Sequence, residues 1–383
     1  MSNSVEPFVL AIEESELTDL KQRLQNTRWP EKEPVDGWQQ GIPLAYMREI
    51  CSYWASDYDW RRFEKQLNDW GQYKTSIDGL DIHFLHVRSP HQQAQPLLIS
   101  HGWPGSVAEF SKIIDPLTNP TAHGGSADDA FHVVCPSLPG YGFSGKPAET
   151  GWGVEKIADT WNELMQRLGY GQYFAQGGDW GSMVTHQVAL RQSANCRAIH
   201  VNMPLCAPDP DTMNALTETE QAALANMADY FENGSGYSKQ QSTRPQTLGY
   251  GLSDSPIGQA AWVLEKFYEW TDCDNGDTRH PENILNKDEL LDNVMLYWLT
   301  NAGASSARLY WESFGDPAMD PIDIPVGVSC FPNEISRTSK RWAEKRYTQL
   351  IHFNELPRGG HFAAFEQPEA FVEEIRQCFR QLR

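Results

Sequence analysis

The sequence predicts an α/β fold built on a mostly parallel sheet with helices on both faces. Short apolar runs, PLLIS (96–100), FHVVC (131–135), YFAQ (173–176), CRAIHVNM (196–203), PVGVSCF (325–331) and TQLIHFN (348–354), alternate with helical stretches. Runs that are apolar throughout suit strands buried on both sides of a parallel sheet. A second observation is FAQGGDWGSMV (174–184), which has the spacing of a strand, a sharp glycine turn and a helix. Third, the 383 residues, 40% of them hydrophobic, exceed the usual single-domain size, so one large core with appended or inserted parts is expected.

In chain order, residues 1–75 read as a helical, aromatic-rich N-terminal extension. Leu17, Leu20 and Leu24 share one helix face, Ser15 stands where a cap belongs and Pro30 ends the segment. YWASDYDWRRFEKQLNDW reads as a second helical region. In TSIDGLDIHFLHV, an Asp78-Gly79 turn followed by alternating apolar residues predicts a hairpin. The core is expected over 76–203 and 305–383. A covering helix over 154–168 puts Ile157, Trp161, Leu164 and Leu168 on one side, and a final helix over 369–383 turns Phe371, Ile375, Cys378, Phe379 and Leu382 inward. Residues 204–304 hold helical segments without the strand rhythm. An insertion there, between two core strands and above their carboxyl ends, forms a lid over a site.

A formal net charge of −20 argues against nucleic-acid and anionic-membrane partners, which such a surface repels. Seven scattered cysteines (51, 135, 196, 206, 273, 330, 378), odd in number and without a C-x-x-C pair, suit reduced thiols better than a disulfide framework. No run of about 18 apolar residues is present to span a bilayer, and the acidic N-terminus lacks the pattern of a signal peptide. A cytoplasmic protein, monomeric or homodimeric, is expected. Neither an H-E-x-x-H pattern nor paired Cys/His spacing points to a metal, and GYG and GGS fall short of complete nucleotide-binding loops, so no cofactor is expected.

The chemistry concentrates at the turns. In G-x-S-x-G hydrolases the apex of such a turn is a serine, whereas here Gly177 and Gly181 flank Asp179. HGWPGS (101–106) directly follows PLLIS. Backbone N–H groups of Trp103 there and of Trp180, the residue after the apex, are candidates for binding a developing oxyanion. His361, in GGHFAAFEQPE, has the chain position of a catalytic histidine, after nucleophile and acid. The acid should follow the preceding strand, where CFPNEIS supplies Glu334; Asp316, Asp320 and Asp323 are weaker candidates. A serine needs a base to attack, but an aspartate, with a reference pKa of about 3.9, is already anionic at neutral pH. It can displace a leaving group from saturated carbon to give an ester, leaving the His361/Glu334 pair to activate water against that ester. The expected substrates are carbon–halogen bonds or strained ethers such as epoxides. Halide leaves without a proton; an epoxide oxygen leaves as a basic alkoxide and needs an acid. Tyrosines, protonated at neutral pH, are therefore expected in the lid.

The motifs HGWPGS, CPSLPGYGFS, QGGDWGS, STRPQTLGYGLSDSPIGQAAWVLEKF, YWLTNAGASSARLYWES and GGHFAAFEQPE together resemble the microsomal-type epoxide hydrolases. TRWP, GWQQG, YWASDYDWRRFEKQLN and IDGLDIHFLHVRS extend the resemblance over nearly the whole chain. It implies an α/β-hydrolase fold, no cofactor and two reactants, a small-molecule epoxide and water. By position it implies that Asp179 is the nucleophile, His361 the base, Glu334 its charge partner, and Tyr237 and Tyr310 the tyrosines that polarise the epoxide, with Tyr297 and Trp311 as near alternatives to Tyr310. Animal members usually carry an N-terminal membrane anchor, and the absence of one here resembles the soluble microbial branch. Haloalkane dehalogenase is the second expectation and a non-catalytic ligand-binding protein the third.

Overall fold

The structure is a computed structural model and describes residues 4–315 and 319–383; the acid candidate Asp316 lies outside the described residues. One sheet contains nine strands: β1 (Glu6–Phe8), β2 (Gln72–Ile77), β3 (Leu80–Val87), β4 (Gln95–Ser100), β5 (Phe131–Pro136), β6 (Tyr173–Gly177), β7 (Cys196–Val201), β8 (Val326–Cys330) and β9 (Leu350–Glu355). Their order is β1-β2-β3-β5-β4-β6-β7-β8-β9. All neighbours from β5 through β9 are parallel, and the β1, β2, β3 edge is antiparallel. Asp78 and Gly79, at φ 51° and 82°, make the two-residue turn between β2 and β3.

The site follows from this order. Beside β4 lie β5 on one side and β6 on the other, which is a topological switch point, and ligands of open α/β sheets bind outside the carboxyl ends of strands there. Ser100 at the end of β4 pairs with Gly177 at the end of β6, so the HGWPGS and GGDWG turns leave the sheet side by side. The helix Val154–Arg167 buries Ile157, Trp161 and Leu164, with Leu168 half-buried just past its end. Its Trp161 indole donates to the Ser100 hydroxyl at 3.0 Å. The last helix, Pro368–Arg380, is shorter than expected at its end: Phe371, Ile375, Cys378 and Phe379 are buried, but Leu382 lies beyond it and is only partly covered.

Three N-terminal details differ from expectation. The first helix is Glu14–Gln25, preceded by Glu13, so Ser15 falls inside it and caps nothing. The second helical region is two helices, Leu44–Ser56 and Trp60–Trp70, because the Asp59 carboxylate accepts the Arg61 N–H at 2.9 Å and starts the latter anew. β1 is a three-residue strand containing Pro7, too short for any alternation to reveal it.

Between β7 and β8 the insertion consists mainly of the helices Glu218–Asp229, Gly236–Thr243, Pro245–Asp254, Pro256–Trp270, Lys287–Trp298 and Gly303–Ser313. The last of these crosses the expected boundary at 304/305 and packs on Pro245–Asp254 and Gly236–Thr243. Small residues permit that close crossing: a Cβ on Gly249 would lie 2.4 Å from Ala304 Cβ, and one on Gly303 would lie 2.7 Å from Leu252 Cβ. The N-terminal helices pack against Pro256–Trp270 and Lys287–Trp298. Trp38 stacks on Tyr268 at 4.1 Å. Among the described residues no helix is long and apolar enough to cross a membrane, and the seven cysteines are free.

One contact of this brace is charged. Asp292, buried on Lys287–Trp298, accepts from Tyr58 at 2.8 Å and from Arg62 at 2.7 Å on each oxygen. Burial pushes its pKa up to about 6, although Arg62 and Tyr58 pull it down. A carboxyl raised above its unfolded value costs stability when ionised and is relieved as pH falls through the folded pKa. Arg62→Ala, which strands this charge, is expected to lower stability by about 1–3 kcal/mol, discounted because Arg62 is itself partly exposed. The loss should be largest near pH 8 and shrink below pH 6, as urea unfolding at both pH values will show.

Candidate active site

At the end of β6 the chain turns through Gly177 and Gly178 into the helix Asp179–Arg191. Asp179 has φ 52°, a left-handed conformation that a side chain adopts only when its surroundings hold it there. The flanking glycines explain how. A Cβ on Gly177 would lie 2.1 Å from the Gly181 carbonyl oxygen, and one on Gly181 would lie 1.9 Å from that of Ser100. The turn is thus pressed against the end of β4. Gly181→Ala is expected to cost about 3 kcal/mol or prevent folding, seen as a fall in Tm or in soluble yield.

Asp179 is held from two sides. Its Oδ1 accepts the Trp103 N–H at 2.7 Å, and its Oδ2 lies 3.2 Å from His361 Nε2. Gly102 is obligatory beneath it, since a Cβ there would meet Asp179 Oδ1 at 2.0 Å. His361 Nδ1 lies 2.8 Å from Glu334 Oε1, which also accepts the Ile335 N–H at 2.7 Å. The His361 and Glu334 side chains are 2% and 0% exposed, so their interaction is little screened by solvent. Burial opposes a charge on His361, but Glu334 and Asp179 together outweigh it and hold the imidazole pKa well above its ordinary value. The weaker acid candidates stand apart. Asp323 Oδ1 accepts from Thr348 at 3.0 Å, and Asp320 is exposed.

The Trp103 N–H already points at the carboxylate, and Trp180 lies in the first turn of its helix, where N–H groups have no acceptor within the helix. The turn bearing Trp103 is braced from three directions. His101 accepts the Leu138 N–H on Nε2 at 3.1 Å, so its Nδ1–H donates to the Gly102 carbonyl at 3.0 Å. Burial lowers its pKa to about 4, keeping it neutral. Asn293 donates to the Pro104 carbonyl at 2.8 Å, and the Tyr297 hydroxyl donates to that of Gly105 at 2.7 Å. Tyr297 therefore holds the turn, and the helix braced by Arg62 is the one that reaches it. Trp311, the other near alternative, is 54% exposed on the surface.

Tyr237 and Tyr310 are buried above the two tryptophans. Tyr237 stacks on Trp103 at 4.9 Å, and Tyr310 meets Trp103 edge-on at 5.9 Å and Trp180 at 4.7 Å. Burial first, then neighbours including Asp179, raises both phenols well above 10, so both are protonated donors at neutral pH. Among the described residues the Tyr310 hydroxyl has no hydrogen-bond partner of good geometry, and its nearness to Tyr237 pulls that residue's pKa down against the larger effect of burial. The Tyr237 hydroxyl lies 3.2 Å from that of Tyr230. Lys266, buried and paired with Glu265 and Glu269 at 2.7 Å each, sits 4.8 Å from the centre of the Tyr237 ring. Trp270 covers the His361 ring at 5.0 Å, and its carbonyl accepts the His361 backbone N–H at 2.9 Å.

Sequence reasoning did not reach Lys266, Trp270, Asn293, Gln176 or Glu109. WVLEKF and EW look like an amphipathic helix, and no spacing rule distinguishes their functional members. Gln176 alone carries a signal, as the first residue of QGGDWG; Glu109 stands beyond HGWPGS in a segment with no mark of its own.

A strand-ended carboxylate, a buried histidine–glutamate pair and a backbone N–H aimed at that carboxylate define a hydrolase of the α/β-hydrolase fold. The chain matches the family description "Epoxide hydrolase N terminus" over residues 5–110 and "alpha/beta hydrolase fold" over 95–247. It is 56% identical over 99% of its length to a Stigmatella aurantiaca protein assigned to the epoxide hydrolases, covering 86% of that protein. It is 37% identical to epoxide hydrolase 1 of Sus scrofa over 98% of this chain and 88% of the other. The Aspergillus niger epoxide hydrolase structure superposes with a TM-score of 0.89 at 32% identity, over 99% of this chain and 97% of that one. The chain belongs to the epoxide hydrolase family, and it is an epoxide hydrolase.

Proposed function

We propose that the enzyme converts an epoxide to a vicinal diol through an ester on Asp179. The carrying observation is a carboxylate at the strand–helix turn with His361 on one oxygen and the Trp103 N–H on the other. Asp179 Oδ attacks one ring carbon, and the carbon–oxygen bond of the epoxide breaks. The departing oxygen takes a proton from Tyr237 or Tyr310. Esterification removes the Asp179 charge, so His361 loses one of the two anions that held it protonated, its pKa falls, and the proton it sheds passes through solvent to restore the tyrosine. Neutral imidazole then takes a proton from water as that water bonds to the ester carbonyl carbon. Trp103 and Trp180 N–H groups stabilise the oxyanion; collapse breaks the bond from Cγ to the substrate oxygen, which takes the imidazolium proton as the diol leaves, and the new Asp179 carboxyl proton passes to His361, restoring both groups. Glu334 keeps the Nδ1–H tautomer and steadies the imidazolium. The free cysteines suit a reducing compartment, and we place the enzyme in the cytoplasm.

Epoxide opening requires the tyrosine donors, which halide loss does not. Tyr237→Phe and Tyr310→Phe are each expected to slow ester formation by about 10–100-fold, and the double variant by about 10³-fold or more. Stopped-flow tryptophan fluorescence, with Trp103 and Trp180 beside the reacting carboxylate, follows the step. A double variant that alkylates at the wild-type rate contradicts proton donation from the lid.

A further inference from the structure

Against the Asp179 carboxylate and His361 lies a cavity of about 20 Å³, whose lining includes Glu109, Gln176, Asn202 and Gly105. A water molecule needs about 10–15 Å³ and several polar partners, so the space suits one water. Two of the lining side chains have no part in the chemistry above. Gln176 is 1% exposed; its Nε2 donates to Asn202 Oδ1 at 2.9 Å, while its Oε1 is buried with no partner among the described residues. Leaving such an acceptor unpaired is costly, and a water that donates to it removes the cost. Glu109 belongs to the short helix Val107–Phe110 that follows the HGWPGS turn, with its carboxyl directed beside Gly105, where a Cβ would lie 2.7 Å from Glu109 Oε2. Its carboxyl also engages the Gly102 backbone. Burial, opposed by His361, raises its pKa to about 8, so at neutral pH it is mainly an acid with both a hydrogen to donate and an oxygen to accept.

We propose that this cavity seats the water that hydrolyses the Asp179 ester, and that Glu109 and Gln176 are the positioning residues that orient it. The inference rests on the covalent reading above. Water held there donates one hydrogen to Gln176 Oε1 and the other to His361 Nε2, and its oxygen faces the ester. The new bond joins that oxygen to Asp179 Cγ, and its proton passes to His361. Collapse breaks the bond from Cγ to the substrate oxygen, which takes the proton from the imidazolium as the diol leaves. Glu109 exchanges no proton in this sequence; it fixes the position of the water.

Positioning of this kind affects one step only. Rapid mixing with an epoxide, acid quench and mass measurement of the Asp179 peptide separate ester formation from ester decay. In Glu109→Ala and Gln176→Met the ester should form at the wild-type rate and decay about 10–100-fold more slowly. With alkylation irreversible, kcat and KM then fall together while kcat/KM holds. Glu109→Gln, which keeps a donor and an acceptor, should recover most of the decay rate. Should Glu109→Ala fail to fold, Gln176→Met carries the same test. Wild-type decay in the folded variants, or a Glu109→Gln enzyme as slow as Glu109→Ala, overturns the inference alone. An absence of ester at Asp179 in every form removes the covalent reading and this inference with it.

Discussion

Asp179→Ala is expected to lower diol formation by about 10⁴-fold or more, the scale on which loss of a nucleophile silences an enzyme whose covalent step has no substitute. His361 is 3.2 Å from Asp179 Oδ2 and faces that carboxylate, a geometry that suits the proposed attack of water on an Asp179 ester. Asp179→Asn should begin equally inactive, because an amide is not an anion. It should regain activity only as the amide is hydrolysed to the carboxylate, a gain of one mass unit that can be followed beside the activity. Full activity in the Asp179→Asn enzyme before any such mass gain would contradict the covalent step. Substitution should leave the fold intact, since the turn is set by Gly177, Gly181 and the end of β4.

His361→Gln is expected to separate the two halves of the reaction. Attack by a carboxylate needs no base, so one equivalent of epoxide should still be consumed per site, giving an ester that persists for hours. Steady-state turnover should fall by about 10²–10⁴-fold, the usual contribution of a general base. The wild-type pH dependence follows from the same pair of carboxylates. In the free enzyme, burial is outweighed by Glu334 and Asp179 and the His361 pKa is raised; in the ester only Glu334 keeps its charge. Ester decay needs neutral imidazole, so its rate should rise with pH to a plateau, with an apparent pKa below that of His361 in the free enzyme. A His361→Gln enzyme that turns over at the wild-type rate would remove the histidine from the water step.

Much of this was legible because strand ends are legible. QGGDWG, HGWPGS and CFPNEIS stand at the ends of apolar strands and GGHF follows the last strand after a short loop, and parallel strands deliver their carboxyl-end loops to one edge of the sheet. Asp179, Trp103, Glu334 and His361 therefore meet although they lie far apart in the chain. The lid was harder. Fourteen tyrosines are present, and helical periodicity marks burial without saying which buried hydroxyl faces the nucleophile; Tyr237 and Tyr310 came from the family resemblance. The helix Gly303–Ser313 crosses the expected boundary at 304, since Gly303 and Ala304 are fixed by tertiary contact with Leu252 and Gly249, which no local pattern reveals. Glu109 and Lys266 were hidden for the opposite reason. A charged residue in an amphipathic segment reads as solvated, and only the packed structure shows one beside His361 and the other under the Tyr237 ring.

The covalent claim meets its most direct test in one turnover with enzyme in excess, run in heavy-oxygen water and followed by mass measurement of the Asp179 peptide. Water attacking the ester carbonyl carbon places its oxygen in the carboxylate, so the peptide should carry heavy oxygen while the first diol carries none from solvent. An unlabelled Asp179 with a heavy-oxygen diol would mean that water opens the epoxide directly, and would contradict the mechanism.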